Sequence, residues 1–164
     1  MAMGYRALAS LLLIAVMQGG AAVPEASEPP VARSQATAEL PKLIVHKSPT
    51  CGCCQAWVGH MRKAGFPVEV RDTGDLAAIK ARVKLPYGLG SCHTAQVGDY
   101  FVEGHVPAED VKRLLAKRPA ARGLAVPGMP IGSPGMEQGG IVQPYDVLLV
   151  APDGTTTVFA RHGQ

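Results

Sequence analysis

The way apolar patterns alternate between strand and helix along residues 43–118 limits the possible folds more than any other feature of the chain. Twice, a short run with strand character precedes a segment with helical spacing, and Gly65 ends the first of these helices. A strand, a helix and a second strand in this order predict a βαβ unit with a parallel strand pair. The predicted elements are strand 43–46, helix 51–64, strand 68–70, helix 75–83, strands 94–97 and 100–103, and a helix that begins at Pro107.

A two-residue turn at Gly98-Asp99 joins the third and fourth predicted strands. Strand, helix, strand, helix, hairpin and helix is the order of elements in a thioredoxin or glutaredoxin fold. We therefore predict an α/β protein with a thioredoxin-like (glutaredoxin-like) sheet flanked by helices. A Gly/Pro-rich loop over residues 122–143 and a C-terminal hairpin, with strands 145–150 and 155–160, are added to this core.

The first 22 residues have the layout of a secretory signal. Arg6 precedes an apolar run from Ala7 to Met17, and small residues follow up to Ala22. Such a run is shorter than the ~20 residues of a membrane span, so we expect export to the periplasm with no membrane attachment after cleavage. Residues 23–39 are rich in Pro, Ala, Ser and Glu and are predicted to be a flexible linker, which leaves residues 40–164 as the folded domain.

Length and charge exclude several classes of protein. The chain has 164 residues and a formal net charge of +3, which is too near balance for a nucleic-acid-binding protein. It is long enough for one well-cored domain and too short for two.

The motif Cys51-Gly52-Cys53-Cys54 places three thiols at the predicted junction of the first strand and the first helix. Free amides and the dipole at a helix N-terminus favour thiolates, so these sulfurs are expected to be reactive or bound to metal. Cys92 lies just before the third predicted strand, which starts beside that helix in a thioredoxin-like sheet. The four sulfurs, here called the cysteine cluster, are therefore expected to converge on one pocket.

Soft sulfur ligands select Cu(I), zinc or iron–sulfur clusters, and crowded thiolates can bridge several Cu(I) ions. Pairing across the Gly98-Asp99 turn places His105 opposite Cys92, where its imidazole is a further candidate ligand. The alternative is that His105 bonds the free amides of the helix at Pro107. Met129 and Met136 lie in the Gly/Pro-rich loop, where they are either soft ligands or side chains packed at the edge of the core.

Other interpretations of the four cysteines remain open. Two structural disulfides would use all four in an exported protein. A thiol–disulfide oxidoreductase would attack with Cys51 and resolve with Cys54, although a C-x-x-C enzyme needs neither Cys53 nor Cys92. A structural zinc module is a third interpretation.

Several motifs in order resemble the CopG-type copper-resistance family, over about residues 43–159. The motifs are the cysteine motif with Trp57 and His60-Met61, Ser91-Cys92-His93-Thr94-Ala95, Glu103-Gly104-His105-Val106-Pro107, and the stretch 123–137. The resemblance implies a periplasmic copper-binding protein with a thioredoxin-like fold, encoded with copper-resistance systems, in which Cys51, Cys53, Cys54 and Cys92 match the family's cysteines.

From these residues and this resemblance we expect a periplasmic protein of copper resistance and homeostasis. It is expected to bind several Cu(I) ions per chain through the cysteine cluster. Three further side chains are expected to coordinate the copper as auxiliary ligands: His105, Met129 and Met136. Copper ions and other periplasmic copper-resistance proteins are the expected partners. Cycling between Cu(I) and Cu(II) would make it a copper oxidoreductase, and the alternative function is the thiol–disulfide oxidoreductase.

Overall fold

The computed structural model describes residues 39–164, and the predicted signal peptide lies outside this range, as does the predicted linker except for Glu39. Among residues 39–164, no helix has both the length and the apolarity needed to cross a membrane. The elements are β1 Leu43–Lys47, α1 Gly52–Lys63, β2 Val68–Asp72, α2 Leu76–Arg82, β3 His93–Val97, β4 Tyr100–Glu103, α3 Ala108–Lys117, β5 Gly123–Ala125, β6 Tyr145–Val150 and β7 Thr156–His162.

The seven strands form one mixed sheet in the order β2-β1-β3-β4-β5-β6-β7. The pairs β1–β2 and β4–β5 are parallel, and the other neighbours are antiparallel. The predicted α/β architecture, a sheet flanked by helices, is therefore present. The C-terminal hairpin is present too, and it joins the sheet through β5.

Strand β5 corrects the prediction of an unbroken loop over residues 122–143. Gly123 pairs with Phe101 of β4 and with Val150 of β6. A Cβ at position 123 would overlap the carbonyl oxygen of Phe101, so only glycine allows this strand to approach so closely. Three residues are too few to show a strand period, and for this reason the sequence pattern missed β5.

The sheet is covered on both faces. Helices α1 and α3 bury Trp57, Met61 and Leu114 in the larger apolar cluster, together with Val45 of β1 and Leu124 of β5. A smaller cluster on the opposite face joins three sheet residues to the segment that follows α2. Its members are Phe101, Ala125 and Val150, packed against Val83, Leu85 and Leu89.

Local sequence explains where the shorter helices begin. The Asp75 side chain accepts a hydrogen bond of 2.9 Å from the Ala78 amide and caps α2. Pro107 precedes α3, and Glu109 and Asp110 lie in its first turn, where carboxylates stabilise the positive end of the helix dipole.

We expect Leu114→Ala to lower the free energy of unfolding by about 2–5 kcal/mol, because it removes a fully buried side chain that fixes α3 to the sheet. Urea unfolding followed by far-UV circular dichroism measures this loss. Ile141→Ala is the control, since Ile141 is 59% exposed and its truncation should change stability by at most about 0.5 kcal/mol. Equal losses in the two variants would contradict the assignment of the core.

Candidate metal centre

The antiparallel pairing of β1 with β3 assembles the centre. Lys47, the last residue of β1, pairs with His93, the first residue of β3. The chain that leaves β1 reaches Cys51 within four residues, and Cys92 immediately precedes β3. The motif at the start of α1 and the distant Cys92 therefore meet at one end of the sheet.

The four sulfurs of the cysteine cluster lie within 4.8 Å of one another. A disulfide joins Cys51 and Cys54. Cys53 and Cys92 are free thiols, and the Cys53 Sγ lies 3.4 Å from the Cys51 Sγ and 3.9 Å from the Cys92 Sγ. The expected convergence of the four sulfurs is present. Of the two disulfides that would use all four cysteines, residues 39–164 contain one.

The start of α1 favours negative charge beside the sulfurs. Cys51 is the N-cap residue and makes no side-chain hydrogen bond to the helix, and the first turn contains no acidic residue. The first amides of the helix therefore have no intrahelical partner and lie at the positive end of the helix dipole.

His105 reaches Cys92 by the hairpin geometry that the turn predicts. Thr94 pairs with Glu103 across the hairpin, and the Gly104 amide continues the ladder with a 3.1 Å bond to the His93 carbonyl. The His105 Nε2 lies 3.0 Å from the Cys92 Sγ, and the His105 ring is fully buried. The structure thus brings His105 to the cysteine cluster.

The tautomer of His105 leaves a nitrogen lone pair facing the sulfur. Its Nδ1 lies 2.8 Å from the Pro134 carbonyl oxygen, which can only accept, so Nδ1 carries the proton. Burial lowers the pKa of His105, against the raising effect of the Pro134 carbonyl. A neutral ring, oriented through Nδ1–H and open at Nε2, is the state in which histidine binds metals.

His93 is a second buried imidazole that sequence reasoning left unassigned. Its Nδ1 lies 3.4 Å from the Cys92 Sγ, and its ring packs 4.4 Å from the Trp57 ring, centroid to centroid. Burial, with smaller contributions from the neighbouring His105 and Lys80, lowers the pKa of His93 to about 3, against the raising effect of the Gly104 backbone. Neighbouring residues within a strand face opposite sides of a sheet, but Cys92 precedes β3 and is therefore not held to this alternation. The adjacency of Cys92 and His93 was the available signal.

The Cys92 thiol is held in its protonated form. Burial, together with the neighbouring Cys53, raises the pKa of Cys92 to about 11. A cation bound at the site would stabilise the negative charge of the Cys92 thiolate. Metal binding would therefore be coupled to release of the Cys92 proton.

A buried ion pair between Lys80 and Glu103 supports the segment that contains Cys92. Glu103 is fully buried and accepts hydrogen bonds from Lys80 Nζ, from Thr94 Oγ1 at 2.6 Å and from the Ser91 amide at 2.6 Å. Burial raises the pKa of Glu103, while Lys80 and Thr94 act in the opposite direction. Because Ser91 precedes Cys92, this network fixes the backbone that presents the sulfur.

The Gly/Pro-rich loop covers the start of α1. A Cβ at Gly135 would lie 2.6 Å from the Cys53 carbonyl oxygen, so the loop packs directly against the first turn. The Glu137 Oε1 lies 2.8 Å from the Nε2 of His60 in α1. Met136, between these two residues, is partly buried, whereas Met129 is 51% exposed. The loop therefore places the backbone next to Met136 against the first turn of α1, and both methionines remain predicted ligands.

Comparisons with known proteins found one matching family model and two similar solved structures. Residues 89–136 match the family described as protein of unknown function DUF411. Two solved structures, "Copper resistance protein copG", forms 1 and 2, are 42% identical to the chain, each with a TM-score of 0.73. The matches cover 77% and 76% of this chain and 100% of each solved chain. No curated protein matches the chain.

We expect Cys92 to be alkylated by iodoacetamide at pH 8 roughly a hundredfold more slowly in the folded protein than in the urea-denatured chain. The shift of its pKa from 9.0 to about 11 lowers the thiolate fraction by that factor, since only the thiolate reacts. The measurement is mass spectrometry of the Cys92 peptide against time, without reductant. The folded rate should rise about tenfold per pH unit up to pH ~10. A folded rate equal to the denatured rate at pH 8 would contradict the burial of this thiol.

Proposed function

The chain belongs to the CopG-type copper-resistance family, and we propose that it serves that resistance by binding Cu(I) through the cysteine cluster. The convergence of four sulfurs within 4.8 Å of one another is the observation that carries the proposal. Sulfur is a soft donor that prefers Cu(I) to hard cations such as Mg²⁺ or Ca²⁺.

The donor set at the site fits copper as the bound ion. Thiolates at this spacing can bridge neighbouring ions, which supports several Cu(I) ions per chain. The His105 Nε2 lone pair, 3.0 Å from the Cys92 Sγ, supports His105 as an auxiliary ligand. Met129 and Met136 are proposed as further soft ligands, supported by the packing of their loop on the first turn of α1.

The Cys51–Cys54 disulfide gives the site a redox couple as well as ligands. Its reduction requires two electrons, which two Cu(I) ions can supply when each becomes Cu(II). In the reverse direction two Cu(II) ions take up the two electrons that the dithiolate releases as the disulfide forms. We propose this interconversion of Cu(I) and Cu(II) as the oxidoreductase role of the protein.

The setting of this function follows from the rest of the chain. We propose that the signal sequence over residues 1–22 directs the protein to the periplasm, that residues 23–39 are a linker, and that residues 40–164 are the metal-binding domain. The strand order β2-β1-β3-β4, with β1 and β2 parallel, supports a thioredoxin-like core. Other periplasmic copper-resistance proteins are the proposed partners for copper exchange.

We expect the fully reduced protein to take up more than one Cu(I) per chain and to prefer Cu(I) to zinc, because bridging thiolates suit a soft monovalent ion. Cys53→Ser and Cys92→Ser should each reduce the stoichiometry strongly. Anaerobic titration against a chromogenic Cu(I) chelator measures both effects. His60→Gln is the control, since His60 pairs with Glu137 outside the cysteine cluster and its loss should leave the stoichiometry unchanged.

Retention of one zinc ion and no copper in a competition experiment would contradict the proposal and favour a structural zinc module. Normal Cu(I) uptake by both Cys53→Ser and Cys92→Ser would also contradict it, because the sulfurs that distinguish this cluster from a plain C-x-x-C pair would then be dispensable.

The Cys51–Cys54 disulfide favours a second candidate function, thiol–disulfide exchange with other proteins. In that reaction a partner's disulfide is attacked by the reduced Cys51 thiolate, and Cys54 then displaces the partner's thiolate. The oxidised C-x-x-C pair in the structure is the product state of such a cycle.

We expect the metal-free reduced protein to reduce insulin disulfides only slowly, because the Gly/Pro-rich loop packs against the first turn of α1 and restricts the approach of a protein substrate to that turn. Insulin turbidity with dithiothreitol as the reductant is the measurement, and Cys51→Ser is the matched variant. Rapid reduction that depends on Cys51 and is unaffected by Cys53→Ser would establish the second candidate as the main activity.

A further inference from the structure

A second group of donor atoms surrounds the Cys92 sulfur. The Cys92 Sγ, the His93 ring and the His105 ring offer one sulfur and two nitrogens within 4.8 Å of one another. These three residues, here called the histidine–thiol trio, share only Cys92 with the cysteine cluster. The two imidazoles of the trio are both fully buried.

The spacing of the histidine–thiol trio is already close to that of a metal site. In a tetrahedral site with metal–sulfur and metal–nitrogen bonds of about 2.3 and 2.0 Å, the sulfur and nitrogen lie about 3.5 Å apart. The Cys92 Sγ lies 3.0 Å from the His105 Nε2 and 3.4 Å from the His93 Nδ1. The two sulfur–nitrogen distances thus differ from the tetrahedral value by only about 0.5 and 0.1 Å.

The surroundings of His93 indicate that the role of its ring depends on the Nδ1 atom. Its Nε2 is buried and has no hydrogen-bond partner among the described residues. A phenylalanine would pack against Trp57 without leaving a polar atom unpaired, so packing alone does not explain a histidine here. The ring's remaining polar atom, Nδ1, is directed at the Cys92 sulfur.

The two rings hold each other in place. The His93 and His105 rings meet edge to face, with centroids 5.1 Å apart, and the His105 Nδ1 donates to the Pro134 carbonyl oxygen. Both donor nitrogens are thus oriented before any ion arrives, which lowers the cost of ordering them on binding.

We propose that Cys92, His93 and His105 form a separate copper position, one that remains available while the Cys51–Cys54 disulfide is intact. The proposal rests on the proposed copper function and specifies which residues act when half of the cysteine cluster is oxidised. Two imidazoles and one thiolate suit Cu(II) as well as Cu(I), whereas an all-sulfur cluster favours Cu(I). The histidine–thiol trio is therefore the position at which the more oxidised ion is held.

The test uses the full chain with its disulfide intact and Co(II) as the probe, because Co(II) does not oxidise thiols. Co(II) should bind at one ion per chain, with a sulfur-to-cobalt charge-transfer band in the near ultraviolet and intense tetrahedral bands in the visible. His93→Phe should weaken binding at least tenfold and change the visible bands. His46→Phe is the matched control, since His46 is also buried but lies on β1 outside the trio, and it should bind as the wild type does.

Wild-type affinity and unchanged visible bands in His93→Phe would overturn the proposal. If His93→Phe does not fold, as judged by circular dichroism, the unsubstituted protein decides the question. Addition of Zn(II) should then shift the His93 ring-nitrogen NMR signals, and unshifted signals with zinc bound would overturn the proposal as well.

A parallel Cu(I) titration separates this inference from the proposed function. The fully reduced His93→Phe variant should still take up Cu(I), because all four sulfurs of the cysteine cluster remain. A wild-type protein that takes up no Cu(I) when reduced would refute the copper function itself, whereas loss of Co(II) binding in His93→Phe alone supports the histidine–thiol trio.

Discussion

The centre depends on the antiparallel pairing of β1 with β3. The register that places Lys47 opposite His93 brings the end of one strand and the start of another to the same edge of the sheet. Three cysteines of the cluster follow the end of β1 closely in the chain, and Cys92 immediately precedes the start of β3. A shift of one residue in this register would turn the buried side of β3 toward the other face of the sheet, and the pairing is therefore fixed by the same apolar contacts that form the core.

Buried polar groups hold the site on the face opposite α1. Glu103 is bonded to Lys80, Thr94 and the Ser91 amide, so the segment before Cys92 cannot move independently of the sheet. Such a network is stable only when its members are satisfied together, since a charge left alone in the interior is strongly destabilising. It links α2, β3, β4 and the Cys92 segment into one rigid support, which is what a preorganised metal site requires.

The sequence predicts much of this arrangement because its signals are local. The two-residue turn at Gly98-Asp99 determines the hairpin register and hence the position of His105. The cysteine motif marks the start of α1, and the strand and helix patterns predict the elements that bring Cys92 to it. In these cases residues that are close together in the sequence determine the local structure.

What the sequence did not predict depends on contacts between distant segments. Strand β5 exists because Gly123 fits against Phe101, and no pattern within three residues shows this. The approach of His93 to Cys92 depends on where β3 begins, and the tautomer of His105 depends on a carbonyl 29 residues away along the chain. The pairing of Cys51 with Cys54, rather than of Cys53 with Cys92, is likewise a matter of which sulfurs the folded helix turn brings into bonding contact.

The Cys51–Cys54 bond closes a ring whose ends are only three positions apart in the chain. A disulfide lowers the conformational entropy of the unfolded chain by an amount that grows with the logarithm of the number of residues in the loop it closes. This short loop therefore restricts the unfolded chain less than a disulfide between distant segments would. The sheet and its two apolar clusters do not depend on it for their connectivity. We therefore expect the same folded frame to persist whether these two sulfurs are bonded to each other or reduced.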